Sequence, residues 1–108
     1  MEIKIKDLDV LNLHPKLTPI VKEVMKEFRL EVITSAYRPG DKGVHGQMPV
    51  RGLDLRCREP IMGTSIEHYI NFRWEYDPDR PTMLVCISHD TGKGFHVHLQ
   101  VHRNTVRR

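Results

Sequence analysis

Two histidines near the C-terminus, His96 and His98, and a mid-chain pair, His45 and Asp54, are the side chains of this sequence best suited to chemistry. On a strand, alternate side chains share a face, so His96 and His98 project together, with Gln100 and His102 further along. Two imidazoles with a distant His and Asp are the ligand types of a catalytic zinc site, which uses three protein groups and leaves one position for water. Imidazole nitrogens bind zinc at ~2.0–2.1 Å, and a carboxylate oxygen binds at a similar distance. The expected cofactor is Zn2+ and the expected chemistry is hydrolysis.

Plainer readings stand beside these. His45, between Gly43 and Gly46, could be a solvated loop residue, and Asp54 could pair with Arg51 or Arg56. His96 and His98 could line a polar, solvent-facing strand surface. His14, before Pro15, and His68 are assigned local roles.

The elements that must position these residues are legible from periodicity. Ile3 and Ile5 alternate with Lys4 and Lys6, as in a short strand or extended arm. Leu17, Ile20, Val21, Val24, Met25 and Phe28 recur at helical spacing and predict a helix over 15–29. Pro19 suits the first turn of such a helix. Residues 31–36 read as a strand, and 37–50 as a long loop punctuated by Gly and Pro. Long loops in small domains are usually functional or disordered.

Residues 51–57 alternate and predict a second strand, with Asp54 facing away from Leu53 and Leu55. Thr64-Ser65-Ile66-Glu67 is a capping-box pattern that opens a helix running to about Tyr76. Asp77-Pro78-Asp79-Arg80-Pro81 breaks it. Residues 83–87 predict a buried strand, 90–94 a turn and 95–101 the last strand. The last two strands form an antiparallel hairpin. The expected fold class is α+β: one domain over 1–108, a central, mainly antiparallel sheet with two helices packed on it.

Composition bounds the function. At 39% hydrophobic and 29% charged, this is an ordinary globular chain. Nothing approaches the ~20 apolar residues of a membrane span, and Met1-Glu2-Ile3-Lys4 lacks a signal peptide's apolar core. Synthesis and folding are expected in the cytoplasm. Cys57 and Cys86 are too few for a disulfide scaffold and read as reduced core residues. The net charge of +3 is compatible with an anionic partner, but Arg103, Arg107 and Arg108 read as a solvated basic tail.

Ser35-Ala36-Tyr37-Arg38-Pro39, then His45, Arg51-Gly52-Leu53-Asp54 and finally His96-Val97-His98 resemble the zinc D-alanyl-D-alanine carboxypeptidases. They also resemble the allied LAS metallopeptidases, lysostaphin-type and D-Ala-D-Ala-type, that cut peptidoglycan. The resemblance spans residues 31–101 and implies a LAS-peptidase-like domain. His45, Asp54 and His98 would be the zinc ligands and His96 the catalytic base or transition-state partner. Arg38 would bind a substrate carboxylate or stabilise charge on the attacked carbonyl, a task suited to a planar guanidinium. An ion pair is the plainer role for Arg38, and packing for Tyr37.

Departures from the family pattern are specific. His45 stands two residues further from Asp54 than the family frame, Gly43 replaces a Ser and Gly52 an Ala. Phe95 stands where a Glu-X-X-His motif would have its Glu, which leaves the His-X-His version; Glu59 or Asp90 would have to supply any carboxylate base. The implied protein is a small phage or prophage cell-wall hydrolase that acts on peptidoglycan peptides after release. Neither membrane nor nucleic acid is its expected partner, and its oligomeric state is open.

Two rivals differ in class. Phe95-His96-Val97-His98-Leu99 also resembles the His-hydrophobe-His metal site of single-strand nucleases, which need a tyrosine nucleophile such as Tyr69 or Tyr76. The other rival is a non-catalytic phage structural or wall-binding protein with a vestigial site.

Overall fold

The apolar stripe of the first helical segment becomes the buried face of α1 (Leu17–Phe28), with Leu17, Ile20, Val21, Val24 and Met25 all buried. Pro19 falls in the first turn, where no intrahelical N–H partner is lost. The helix stops at Arg29, which takes a left-handed conformation (φ 55°) and turns the chain toward the sheet. The computed structural model describes residues 3–4, 11–36, 42, 48–90 and 94–108.

Five strands form one antiparallel sheet in the order β1 (Ile3–Lys4), β2 (Val32–Ser35), β3 (Gly52–Arg56), β6 (Phe95–Gln100) and β5 (Cys86–Asp90). A bulge between Ile33 and Ser35 shifts the β2–β3 register, adding local twist at that point. The β5–β6 hairpin joins the sheet as its sequence spacing predicts. Alternation sorts the side chains of β3 and β6 cleanly: Leu53, Leu55, Val97 and Leu99 are fully buried on one face. Asp54, His96 and His98 lie on the other.

The buried face is covered by the helices. In α2 (Pro60–Arg73), Gly63 lets the Phe95 ring of β6 come so close that a Cβ at this position would collide with it. Two α2 side chains also satisfy the edge strand β5. The Asn71 amide donates to Cys86 O at 2.8 Å and accepts from Cys86 N at 3.0 Å. Glu67 Oε2 accepts from Ser88 N at 2.6 Å and from its hydroxyl at 3.0 Å. Backbone groups that would otherwise template another strand are thereby occupied. The radius of gyration, 12.7 Å, matches the ~13 Å of a compact unit of this length. Cys57 and Cys86 are free and buried, as expected of core thiols. No helix among the described residues is long and apolar enough to cross a membrane.

Four expectations are corrected. The second helix begins at Pro60, which occupies its first turn, and ends at Arg73. Thr64 therefore lies inside it, and the capping-box pattern is coincidental; Ser65 instead bonds back to Ile61 O at 3.1 Å. The fifth strand is Cys86–Asp90, three residues later than the apolar run suggests, because its partners on β6 run from Leu99 to Phe95. Met83 and Leu84 are exposed. His102 lies beyond the end of β6 and packs on Tyr76, so it does not extend the histidine row.

The basic tail is exposed at Arg103, Arg107 and Arg108, as expected, and is also tied down. β7 (Val106–Arg107) pairs with β4 (Trp74–Glu75) in a second, two-stranded sheet. The buried Thr105 hydroxyl donates to Tyr76 O at 2.8 Å, and Lys16 Nζ donates to Arg103 O and Thr105 O, each at 2.6 Å.

The His14 and His102 rings are expected to make stability pH-dependent. His14 Nδ1 accepts from Lys16 N at 3.1 Å and His102 Nδ1 from Asn104 N at 3.2 Å, so both rings use a lone pair that protonation would remove. Burial lowers the pKa of both, helped by Arg51 and Lys16 at His14 and by Arg80 and Arg51 at His102, where Asp77 opposes. The unfolded chain, with histidines near ~6.5, binds more protons, so stability is present above that pH and declines as pH falls through it. Urea unfolding at about pH 5.5 is expected to show an earlier midpoint than at about pH 7.5. The difference should shrink in the His14→Gln/His102→Gln variant; an unchanged difference would exclude these two rings as the cause.

Candidate metal centre

The β3–β6 register sets the site. Asp54 is directly opposite His98, and Arg56 is opposite His96, so these four side chains share the face turned away from the helices. Asp54 Oδ1 lies 2.8 Å from His98 Nδ1, and both side chains are largely shielded, at 13% and 12% exposure.

Gln100, next on the same face and buried, decides the state of the His98 ring. Its Nε2 donates to Leu84 O at 2.8 Å, which aims Oε1 at His98 Nε2, 3.1 Å away. An oxygen in that position accepts, so His98 Nε2 carries a hydrogen. A neutral imidazole has no second one. At 2.8 Å the contact of Nδ1 with Asp54 Oδ1 is a hydrogen bond, which needs a proton between the two atoms. A ring N–H anchored on a carbonyl is the outer bond by which a metal-ligating histidine is oriented, and the same bond also serves a plain His–Asp pair.

His96 stands two residues before His98 on β6. Its Nδ1 donates to Gly94 O at 3.0 Å, which in the neutral ring places the lone pair on Nε2. Gly94 has φ 115°, a conformation that favours glycine.

The structure joins Asp54 and His98 and places His96 on the same sheet face. His45 and Arg38 lie outside the described residues, as does Tyr37. Among the described residues no group of three or more His, Cys, Asp or Glu could hold a metal ion; His45, the third ligand expected from the sequence, lies outside them. Glu59 precedes α2, and Asp90 faces the helix side with Phe95. Neither is a carboxylate base on the histidine face.

Two residues of this face escaped the sequence reading. His89 is paired with His96 across β5–β6, and its ring meets that of His98 edge-on at 6.4 Å. The signal was the alternation Ile87-Ser88-His89, concealed by ending the strand at Ile87. Arg56, the β3 partner of His96, adds a cation on the same face and was weighed only as a partner for Asp54.

Tyr69 and Tyr76, the two tyrosines named for a nuclease, are not on this face. Tyr69 packs edge-on against Phe28 at 5.3 Å, under the Arg73 guanidinium at 3.6 Å. Tyr76 is buried and its hydroxyl accepts from Arg51 at 3.0 Å. A groove of about 800 Å³ along α2, lined in part by Tyr69, Phe72 and Leu84, also belongs to other parts of the surface. Compared with models of known protein families, with curated proteins and with solved structures, the chain has no match.

Proposed function

We propose that this protein is a zinc-dependent hydrolase that cleaves an amide bond in peptidoglycan stem or cross-bridge peptides, in the manner of D-Ala-D-Ala carboxypeptidases or endopeptidases. The observation that carries the reading is the Asp54–His98 pair: a carboxylate oxygen and an imidazole nitrogen facing one another at 2.8 Å, with the other ring nitrogen fixed by Gln100. Asp54 and His98 are two of the three proposed ligands and His45 is the third. A zinc ion bound there would polarise a carbonyl and make water acidic near neutral pH.

The protein's own groups then divide the work. His96 Nε2, on the same sheet face as the pair, moves the proton between water and the leaving amine. The β3–β6 register holds it in place, and the Gly94 carbonyl fixes its tautomer. Arg38 is the proposed anchor for a substrate carboxylate or for charge developing on the carbonyl oxygen. The peptidoglycan assignment rests on the resemblance of residues 31–101, and the same residues serve carboxypeptidase, dipeptidase and endopeptidase cleavage. The positions of Tyr69 and Tyr76 weigh against the nuclease reading.

His96→Ala separates catalysis from metal binding. It is expected to keep the wild-type zinc content and to lose 10²-fold or more in amide hydrolysis, the scale on which a general acid–base group contributes (~10²–10⁴). Synthetic stem peptides with a D-Ala-D-Ala terminus, assayed for released amine, provide the readout. Undiminished turnover would remove His96 from the mechanism.

A further inference from the structure

We propose that His89 and His96 form a second cation site, specific for borderline divalent ions such as Zn2+ or Cu2+. The two residues are directly opposed on antiparallel neighbours β5 and β6, which puts their Cβ atoms about 4.5–5.5 Å apart on one face. Two imidazoles at that spacing reach a common ion, and imidazole is a ligand of choice for zinc and copper. The Gly94 carbonyl already takes the His96 Nδ1–H at 3.0 Å, so Nε2 is the nitrogen that ligates, with the orienting outer bond that such ligands have. His89 is exposed at the sheet edge, so an ion reaches the pair from solvent, and its ring closes the site by turning toward His96 from its edge-on position 6.4 Å from the His98 ring.

This site is distinct from that of Asp54. The sheet order places β3 on one side of β6 and β5 on the other, so Asp54 and His89 flank His98 from opposite sides. Arg56 neighbours His96 from β3 and directs a cation toward β5. Only two protein ligands contribute, with water completing the coordination, so the site is the weaker of the two. Its occupant engages the same His96 nitrogen that acts as the base. On the proposed function, excess zinc is therefore an inhibitor and His89 sets the concentration at which inhibition begins.

Equilibrium dialysis of the full-length protein against Zn2+ tests this. Wild type is expected to show two classes of site. His89→Ala, an exposed substitution that leaves the core untouched, should lose only the weaker, and Asp54→Ala only the tighter. A single class in wild type that does not depend on His89, or a weaker class that survives His89→Ala, would overturn the second site. A weaker class that depends on His89 without any tighter class would instead uphold it and overturn the proposed function. No zinc bound at all would overturn both.

Discussion

Asp54→Ala is expected to abolish zinc retention and amide hydrolysis together while leaving the fold in place. Asp54 projects from the sheet face opposite the buried Leu53 and Leu55, so its removal opens no cavity in the core. The local cost is its hydrogen bond to His98, about 1.5–3 kcal/mol for a bond to a charged group. The functional cost is larger. Changing outer partners of a ligand costs about 10–100-fold in metal affinity or activity, and a lost ligand exceeds that. The cleanest demonstration measures zinc content, hydrolysis and the far-UV CD spectrum on one preparation. A variant that keeps its zinc and turnover would remove Asp54 from the site. His98→Ala should reproduce the result, because the Gln100 carbonyl then has no ring to orient.

Leu99→Ala is expected to show the reverse pattern. Leu99 sits between His98 and Gln100 in sequence but on the opposite face, fully buried, with Leu53 and Cys86 as its cross-strand partners. Truncating a buried leucine costs about 2–5 kcal/mol through lost transfer energy and the cavity left behind. Against a typical total of about 5–15 kcal/mol, much of the stability is lost, and at roughly 4–8 °C per kcal/mol the melting temperature falls by about 10 °C or more. Zinc content per folded chain should persist, since the ligand face is unchanged. A melting temperature within about 2 °C of wild type would mean that the core repacks around the gap.

The contrast between these neighbours shows why part of the molecule was legible in its sequence. Period-2 alternation in Leu53-Asp54-Leu55 and Val97-His98-Leu99 reads directly as core and site faces, and the helical stripe from Leu17 to Met25 reads as a buried face. Strand pairing is another matter. Met83-Leu84-Val85 is apolar enough to be a strand, yet the strand begins at Cys86 because the partners offered by β6, from Leu99 to Phe95, set the ladder. That shift hid His89. The two-residue pairing of Trp74–Glu75 with Val106–Arg107 is too short to leave a pattern, so nothing local showed that the exposed, arginine-rich tail is also paired. At α2, the start is set by Pro60 in the first turn, and the Thr64–Glu67 pattern four residues on carried no boundary information. The amide orientation of Gln100 depends on Leu84 O, a backbone atom distant in sequence, and no local motif encodes it.

The central claim is that Asp54 and His98, with His45, hold one zinc ion, and elemental analysis of the purified protein tests it most directly. About one zinc per chain is expected, lost in the His45→Ala variant, which would join the loop to the last strand through the metal. Zinc retained in His45→Ala would move the ion to the histidines of β5 and β6. Absence of zinc from the wild-type protein, even after dialysis against it, would contradict the claim and leave a wall-binding or structural protein.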